Sequence, residues 1–262
     1  MIVKQVSQVL DLLEFFAHRR EPANPSEIAR HFAWPRSSTF NLVQTLVERG
    51  YLYEPKPRQG YYPTPRWLSL AQEISAAEPL PEEVNRLLRD LAEITGETVG
   101  ITAASGTHVV FLEVIPSRHP IAYQAYVGKQ LPLHATASGQ AILSQMPPSQ
   151  VASLLRRTVF ERYGEGTPMS IEEIETQIKQ SLHRGWFSSA SAYTQDLGGV
   201  AVPLVLNGRI FSFTVAGPLF RIGNHMDVIA RQMHEGVSRH LGPDYFATHV
   251  PNLYRLPVGS AS

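Results

Sequence analysis

The sequence predicts an α+β protein. An N-terminal winged helix-turn-helix is followed by a linker helix and by an antiparallel-sheet domain with surrounding helices. Three observations carry this. The first 65 residues run helix, helix, tight turn, helix and short hairpin. Prolines then fence a short amphipathic stretch. From residue 98 onward β-like runs are joined by hairpin signals, with helical patterns grouped around them.

Val6, Val9, Leu10, Leu13 and Phe16 mark one face of a first helix. "ANPSEIARHF" starts a second, with Asn24 as N-cap, Pro25 at the first helical position and Glu27 at capping-box spacing. "AWP" reads as a turn, Pro35 opens a third helix, and Gly50 stops it in a left-handed cap. "YLYE" and "YYP" read as paired strands around "PKPRQG", completing residues 1–65. Leu68, Ala71 and Ile74 give residues 66–77 a helical face, so 66–79 is the linker.

The second domain is expected over 80–242. Val84, Leu87, Leu88, Leu91 and Ile94 form an amphipathic helix ending at Gly96. Thr98–Ala104 and His108–Ile115 flank the hairpin signal "SGT", and residues 121–127 read as a further strand. "HATASGQAILSQM" reads as a loop entering a short helix. Ser170 and Glu173 form a capping box before Ile171, Ile174, Ile178 and Leu182. Two strands, Gly199–Leu206 and Arg209–Ala216, meet at Asn207-Gly208, a strong hairpin signal. A last helix runs from about Asn224 to Leu241, and residues 243–262 read as an irregular tail.

Composition excludes several classes. The 262 residues carry 23 basic and 23 acidic side chains, so no bulk charge draws the chain to nucleic acid or membrane. No apolar run reaches about 18 residues and no signal-peptide core is visible, which makes a cytoplasmic protein the expectation. Cysteine is absent, hence no disulfide, thiol nucleophile or thiolate metal site. There is no G-x-S-x-G, P-loop or H-E-x-x-H, and the ten histidines lack zinc spacing. His134 reads as structural. An enzyme, a cofactor and a bound metal are not expected.

The third helix carries the functional signal. Phe40, Leu42, Val43, Leu46 and Val47 fall at helical spacing, while Arg36, Ser37, Ser38, Asn41, Gln44 and Thr45 occupy the other side. Small hydrogen-bonding side chains let a helix approach base edges in the major groove. Residues 30–66 hold six bases against two acids, a local excess that suits phosphate contacts. Arg36, Ser37, Ser38, Thr39, Asn41 and Gln44, with Lys56 and Arg58 in the wing, are the candidate DNA-binding residues. The alternative is a winged helix that contacts protein instead of DNA, attached to a small-molecule-binding module.

"VLDLLEFFA", "SEIARHFAWPRSSTFNLVQTLVERGYL" and "GYYPTPRWLSLA" together resemble the DNA-binding domain of the IclR family of bacterial transcriptional regulators. "GKQLPLHATASGQAIL" and "RGWFSSASAYTQDLGGVAVPL" are similar to that family's effector-binding domain. The resemblance implies a GAF-like ligand-binding fold, dimers or dimers of dimers, and regulation by a small metabolite. It places the effector's acid group at Ala137 and Ser138 and polar contacts at Ser189, Leu197 and Gly199. The residues support the first part independently. Thr136, Ala137, Ser138 and Gly139 form a helix start, where free N–H groups favour an anion. The family often carries acids in the segment matching Ser189–Ala192, where this chain has "SASA". Tyr123, Tyr126 and Tyr193 are candidates to line such a pocket. The expected function is a ligand-responsive regulator that senses a small organic acid, an aromatic one among the candidates, and controls catabolic genes. The expected partners are a double-stranded operator, the effector, a second copy of the chain and RNA polymerase.

Overall fold

In a computed structural model that describes residues 3–77 and 79–256, the chain divides into two compact units, one ending at Pro79 and the other starting at Leu80. The first unit contains α1 (Lys4–Arg19), α2 (Pro25–Phe32), α3 (Arg36–Glu48), β1 (Leu52–Tyr53), β2 (Tyr62–Pro63) and α4 (Arg66–Ala77). Asn24 caps α2 by accepting the N–H groups of Ser26 and Glu27, and the Glu27 carboxylate accepts the Asn24 N–H in return. Leu12, Phe16, Ile28, Val43, Leu46 and Leu52 make the core of this unit. β1 and β2 pair antiparallel, and an isolated bridge between Ala23 and Tyr61 ties the hairpin to the start of α2.

The inward face of α1 differs from the expected one. Leu12 and Phe16 are buried, but Val6 and Leu10 are exposed along with Val3. In α4 no residue is buried, and Leu68 and Ile74 are both more than 60% exposed. Both helices therefore leave apolar stripes without a partner inside this unit.

The second unit is a six-stranded antiparallel sheet of order β5-β4-β3-β8-β7-β6. Its strands are β3 (Thr98–Ser105), β4 (His108–Ile115), β5 (Gln130–Pro132), β6 (Phe187–Ala190), β7 (Leu197–Leu206) and β8 (Arg209–Pro218). Asn207 and Gly208 both have positive φ, as a two-residue hairpin of this hand requires. The helices are α5 (Glu82–Thr95), α6 (Ala137–Leu143), α7 (Pro148–Arg157), α8 (Ile171–Arg184), α9 (Leu219–Ile222), α10 (Met226–Leu241) and α11 (Tyr245–His249), with a 3-10 turn before α10. One core packs α5, α10 and α11 residues with β3, β7 and β8. A second gathers Phe111, Leu131, Ile142, Leu155 and Ile174 from β4, β5, α6, α7 and α8.

Two expectations are corrected, and one helix is added where the sequence analysis assigned no element. Residues 121–127 form a loop, not a strand, because their carbonyls are held by side chains. Thr98 Oγ1 donates to Tyr123 O at 2.7 Å and an Arg221 guanidinium N–H donates to Ile121 O at 3.0 Å. The pairing strand is instead Gln130–Pro132. The "PPSQVASLLRR" segment is a helix, α7, opened by Pro148. The tail is also not irregular throughout. It holds α11, buries Val250 and Leu253, and sets the Tyr245 hydroxyl on the Val205 backbone at both N–H and carbonyl. Residues 257–262 of that tail lie outside the described residues.

Glu97, immediately before β3, is 2% exposed. It is gripped by the Nε and Nη2 groups of Arg221 from α9, and the same guanidinium holds the Ile121 carbonyl. A buried carboxylate is tolerated because every lone pair in reach of the fork is engaged. Removing it strands a half-buried guanidinium and releases the loop before Tyr123. Glu97→Ala should lower the unfolding free energy by about 3 kcal/mol, the low end for a broken buried pair because Arg221 keeps some solvent. Urea denaturation of the full chain measures this. A change within about 0.5 kcal/mol, the range of an ordinary surface substitution, would show that the pair does not anchor the loop.

Candidate functional site

On α3 the core-facing positions are Thr39, Val43 and Leu46. Thr39 is therefore withdrawn from the DNA-facing set. It is 1% exposed, and its hydroxyl donates to Pro35 O within the helix. Arg36, Ser37, Ser38 and Asn41 are exposed, clustered in the first two turns. Gln44 is half-buried, and its Nε2 donates to the Tyr61 hydroxyl at 3.1 Å, fastening the helix to the wing. Phe40, expected among the apolar core positions, is instead 51% exposed and packs into no core cluster.

The wing tip is set by its own chemistry. The Glu54 carboxylate accepts the Arg58 N–H at 2.6 Å, and Arg58 takes a left-handed φ of 60°. Lys56 and Arg58 are both exposed at this tip. Neither has a carboxylate within ion-pair distance among the described residues.

In the second unit, α6 begins beside the sheet and the space at its start is a cavity of about 460 Å³, mouth included. Its wall brings together Thr136, Ala137, Ser138, Ser189, Leu197 and Gly199, with Tyr123 and Tyr193. These were separated by up to 76 residues along the chain, and strand register unites them: Ser189 of β6 pairs opposite Gly199 of β7. Two expected members are absent. Tyr126 is 64% exposed and stands in the loop outside. Gly139 faces the other way: a Cβ on it would lie 1.9 Å from the Leu133 carbonyl oxygen, so this glycine serves close packing. Sequence reasoning missed Phe111, Leu131, Thr194, Thr214 and Ala216 in the same wall. Thr214 and Ala216 share one face of β8 by strand alternation, a signal that was available; Phe111 required knowledge of the sheet order.

The cavity's polar atoms fall into two groups. Thr136 is the N-cap of α6, its Oγ1 accepting the Gly139 N–H at 3.1 Å and donating to Pro132 O. It is thus occupied. The Ala137 and Ser138 N–H groups and the Ser138 and Ser189 hydroxyls make no bond within the described residues. The Tyr123 hydroxyl is buried without a partner. Burial, with the neighbouring Tyr193 and Tyr126, pushes its pKa well up, so it stays a proton donor. No acidic or basic side chain lines this wall. His134 lies nearby but outside it, edge-on to Phe160 and fully enclosed, and burial pushes its pKa down so the ring is held neutral.

Comparison with known proteins places both units. Residues 74–235 match the family described as "Bacterial transcriptional regulator IclR C-terminal", and residues 5–55 match the "IclR helix-turn-helix domain". The "Transcriptional repressor IclR" of Escherichia coli is 24% identical over 84% of this chain and 82% of its own. The regulator KdgR of Dickeya chrysanthemi is 23% identical over 77% of this chain and 66% of its own. Among solved structures, the Thermotoga maritima IclR superposes with a TM-score of 0.71 at 20% identity, covering 91% of this chain and 99% of that one. An IclR homolog from Microbacterium hydrocarbonoxydans, complexed with 4-hydroxybenzoate, superposes with a TM-score of 0.70 at 24% identity, covering 90% and 98%.

Proposed function

The chain belongs to the IclR family of bacterial transcriptional regulators, and on that premise we propose that its effector is a small aromatic acid carrying a second polar group, sensed to control catabolic genes. As a family member it is a ligand-responsive, DNA-binding regulator and not an enzyme. The observation that carries the effector reading is the cavity beside α6. Its free donors at the start of the helix suit a carboxylate, and no acid competes for them. Phe111, Leu131 and Tyr193 supply apolar wall, and the buried Tyr123 hydroxyl supplies one donor for an acceptor elsewhere on the ligand. The 4-hydroxybenzoate held by the Microbacterium relative has this chemistry.

The DNA reading assigns base edges to Ser37, Ser38 and Asn41, and phosphate to Arg36, Lys56 and Arg58. Exposure of these side chains on α3 and the wing tip supports it. The unpartnered stripes Val3, Val6 and Leu10 on α1, and Leu68, Leu70 and Ile74 on α4, favour self-association through this unit. A homodimer, or a dimer of dimers, then presents paired recognition helices to a two-fold operator. Effector binding biases one arrangement of that assembly. RNA polymerase is the further partner of such a regulator at its promoter.

Calorimetry against 4-hydroxybenzoate and 4-hydroxybenzamide tests the effector chemistry. The carboxylate should bind at least about tenfold more tightly than the amide, because a helix start favours negative charge. Ser138→Asp should fold and lose the acid, while Tyr123→Phe should weaken 4-hydroxybenzoate more than benzoate. Undiminished binding in Ser138→Asp would put the effector elsewhere.

For DNA, Asn41→Ala should cost on the order of 1–3 kcal/mol and relax one operator position, whereas Arg36→Ala should weaken all sequences and flatten the salt slope. Parent-like binding by both variants would remove α3 from the groove. Removing charge at Lys56 and Arg58 belongs to the same experiment, and should lower affinity without altering preference.

For self-association, sedimentation of Ile74→Glu should show a shift toward monomer relative to the parent. An unchanged assembly would mean that the α4 stripe is not at an interface.

A further inference from the structure

We propose that Phe40 reads the 5-methyl group of a thymine, acting as a specificity-determining residue on the recognition helix. The proposal rests on the reading that α3 enters the major groove. It goes beyond that reading because Phe40 is an apolar side chain among the polar ones assigned to base edges. Exposure alone would mean little, since single surface hydrophobics are common. Position and chemistry carry the argument.

Phe40 lies one turn into α3, 51% exposed, while its sequence neighbour Thr39 is sealed into the core. It lines a shallow notch with Arg36, Ser37 and Asn41 of its own helix and with Pro25 and Ser26 at the start of α2. The ring therefore stands among the residues that a major-groove helix presents, in the N-terminal half that reaches base edges. It has no hydrogen-bonding group. The other residues exposed on α3 are Arg36, Ser37, Ser38, Asn41, Thr45, and Glu48 at its far end. Thr45 already spends its hydroxyl on the Asn41 carbonyl at 2.8 Å. Among the base edges of the major groove, the thymine methyl is the apolar group, and phenyl is one of the side chains that pack on it. Asn41, adjacent in sequence, has the amide that pairs with adenine. Together they select an A·T-containing step in the operator, one residue through hydrogen bonds and the other through apolar contact.

The test isolates the methyl group. An operator for the full-length protein is selected in vitro from random duplexes, and each thymine is then replaced singly by deoxyuridine, which lacks only that methyl. The parent should lose about fourfold in affinity at one thymine, the value of one buried methyl group. Phe40→Ala should bind the unsubstituted operator more weakly and show no loss at that thymine. Phe40→Leu should retain part of the sensitivity. The exposed ring makes these variants safe for folding, and thermal melting checks it.

Three results overturn the proposal. If no thymine is methyl-sensitive, or if Phe40→Ala keeps the same sensitivity, Phe40 does not read the base. The groove reading then still stands wherever Asn41→Ala changes sequence preference, and it falls with the proposal if Asn41→Ala and Arg36→Ala are both silent. If Phe40→Ala alters sedimentation and leaves operator affinity unchanged, the ring belongs to a contact between copies of the chain.

Discussion

The close approach of α6 to the chain that precedes it sets the geometry of the second unit. All seven residues of α6 are buried. At Gly139 the backbone lies so near the Leu133 carbonyl that no side chain fits between them. Ala137 and Ala141 contribute to one core of the domain, and Ile142 and Leu143 to the other. A short helix of small residues thus joins two cores by contact rather than by bulk. Because Ala137 stops at a methyl group 3.9 Å from where a Cβ on Gly199 would be, space remains beside the helix start. The cavity is the room those missing side chains leave.

The far wall of that room is held by polar chemistry. The loop after β4 pairs with no strand along residues 121–127, so its carbonyls need donors from elsewhere. Thr98 and Arg221 supply them, and Arg221 is itself fixed by Glu97. This chain of bonds places Tyr123 against Phe111, with ring centroids 6.4 Å apart, and leaves its hydroxyl without a partner. Burying an unpaired hydroxyl opposes folding unless something else meets it. Under the reading proposed above, an acceptor on the effector offsets this cost.

The first unit divides its surface by chemistry in a similar way. One side of α3 and the wing tip expose short polar and basic groups, while α1 and α4 expose aliphatic ones. A hydrogen bond from Gln44 to Tyr61 ties α3 to the wing, the two surfaces proposed to face DNA. Solved structures at 20% and 24% identity share this architecture, and a shared fold does not by itself fix which ligand or sequence is bound.

Local signals written in the sequence were sufficient for most elements. The capping box at Asn24, the Asn207-Gly208 turn and the helical spacing of Leu87, Leu88 and Leu91 are short-range chemistry, and they specify structure wherever they occur. The small residues of "TASG" were also legible as a helix start, which Thr136 caps. What periodicity could not decide was which of two apolar candidates faces inward. Val6, Leu10 and Phe40 fit a helical stripe, yet the neighbouring elements accept Leu12 and Thr39 instead, alongside the expected Phe16. The same limit hid Phe111 and misplaced Tyr126, because membership of the cavity depends on sheet order and on where a loop's carbonyls find donors. Sequence determined most of the elements, since their causes lie within a few residues. Only the tertiary structure decided the surfaces, since burial is a property of what packs against a side chain from far along the chain.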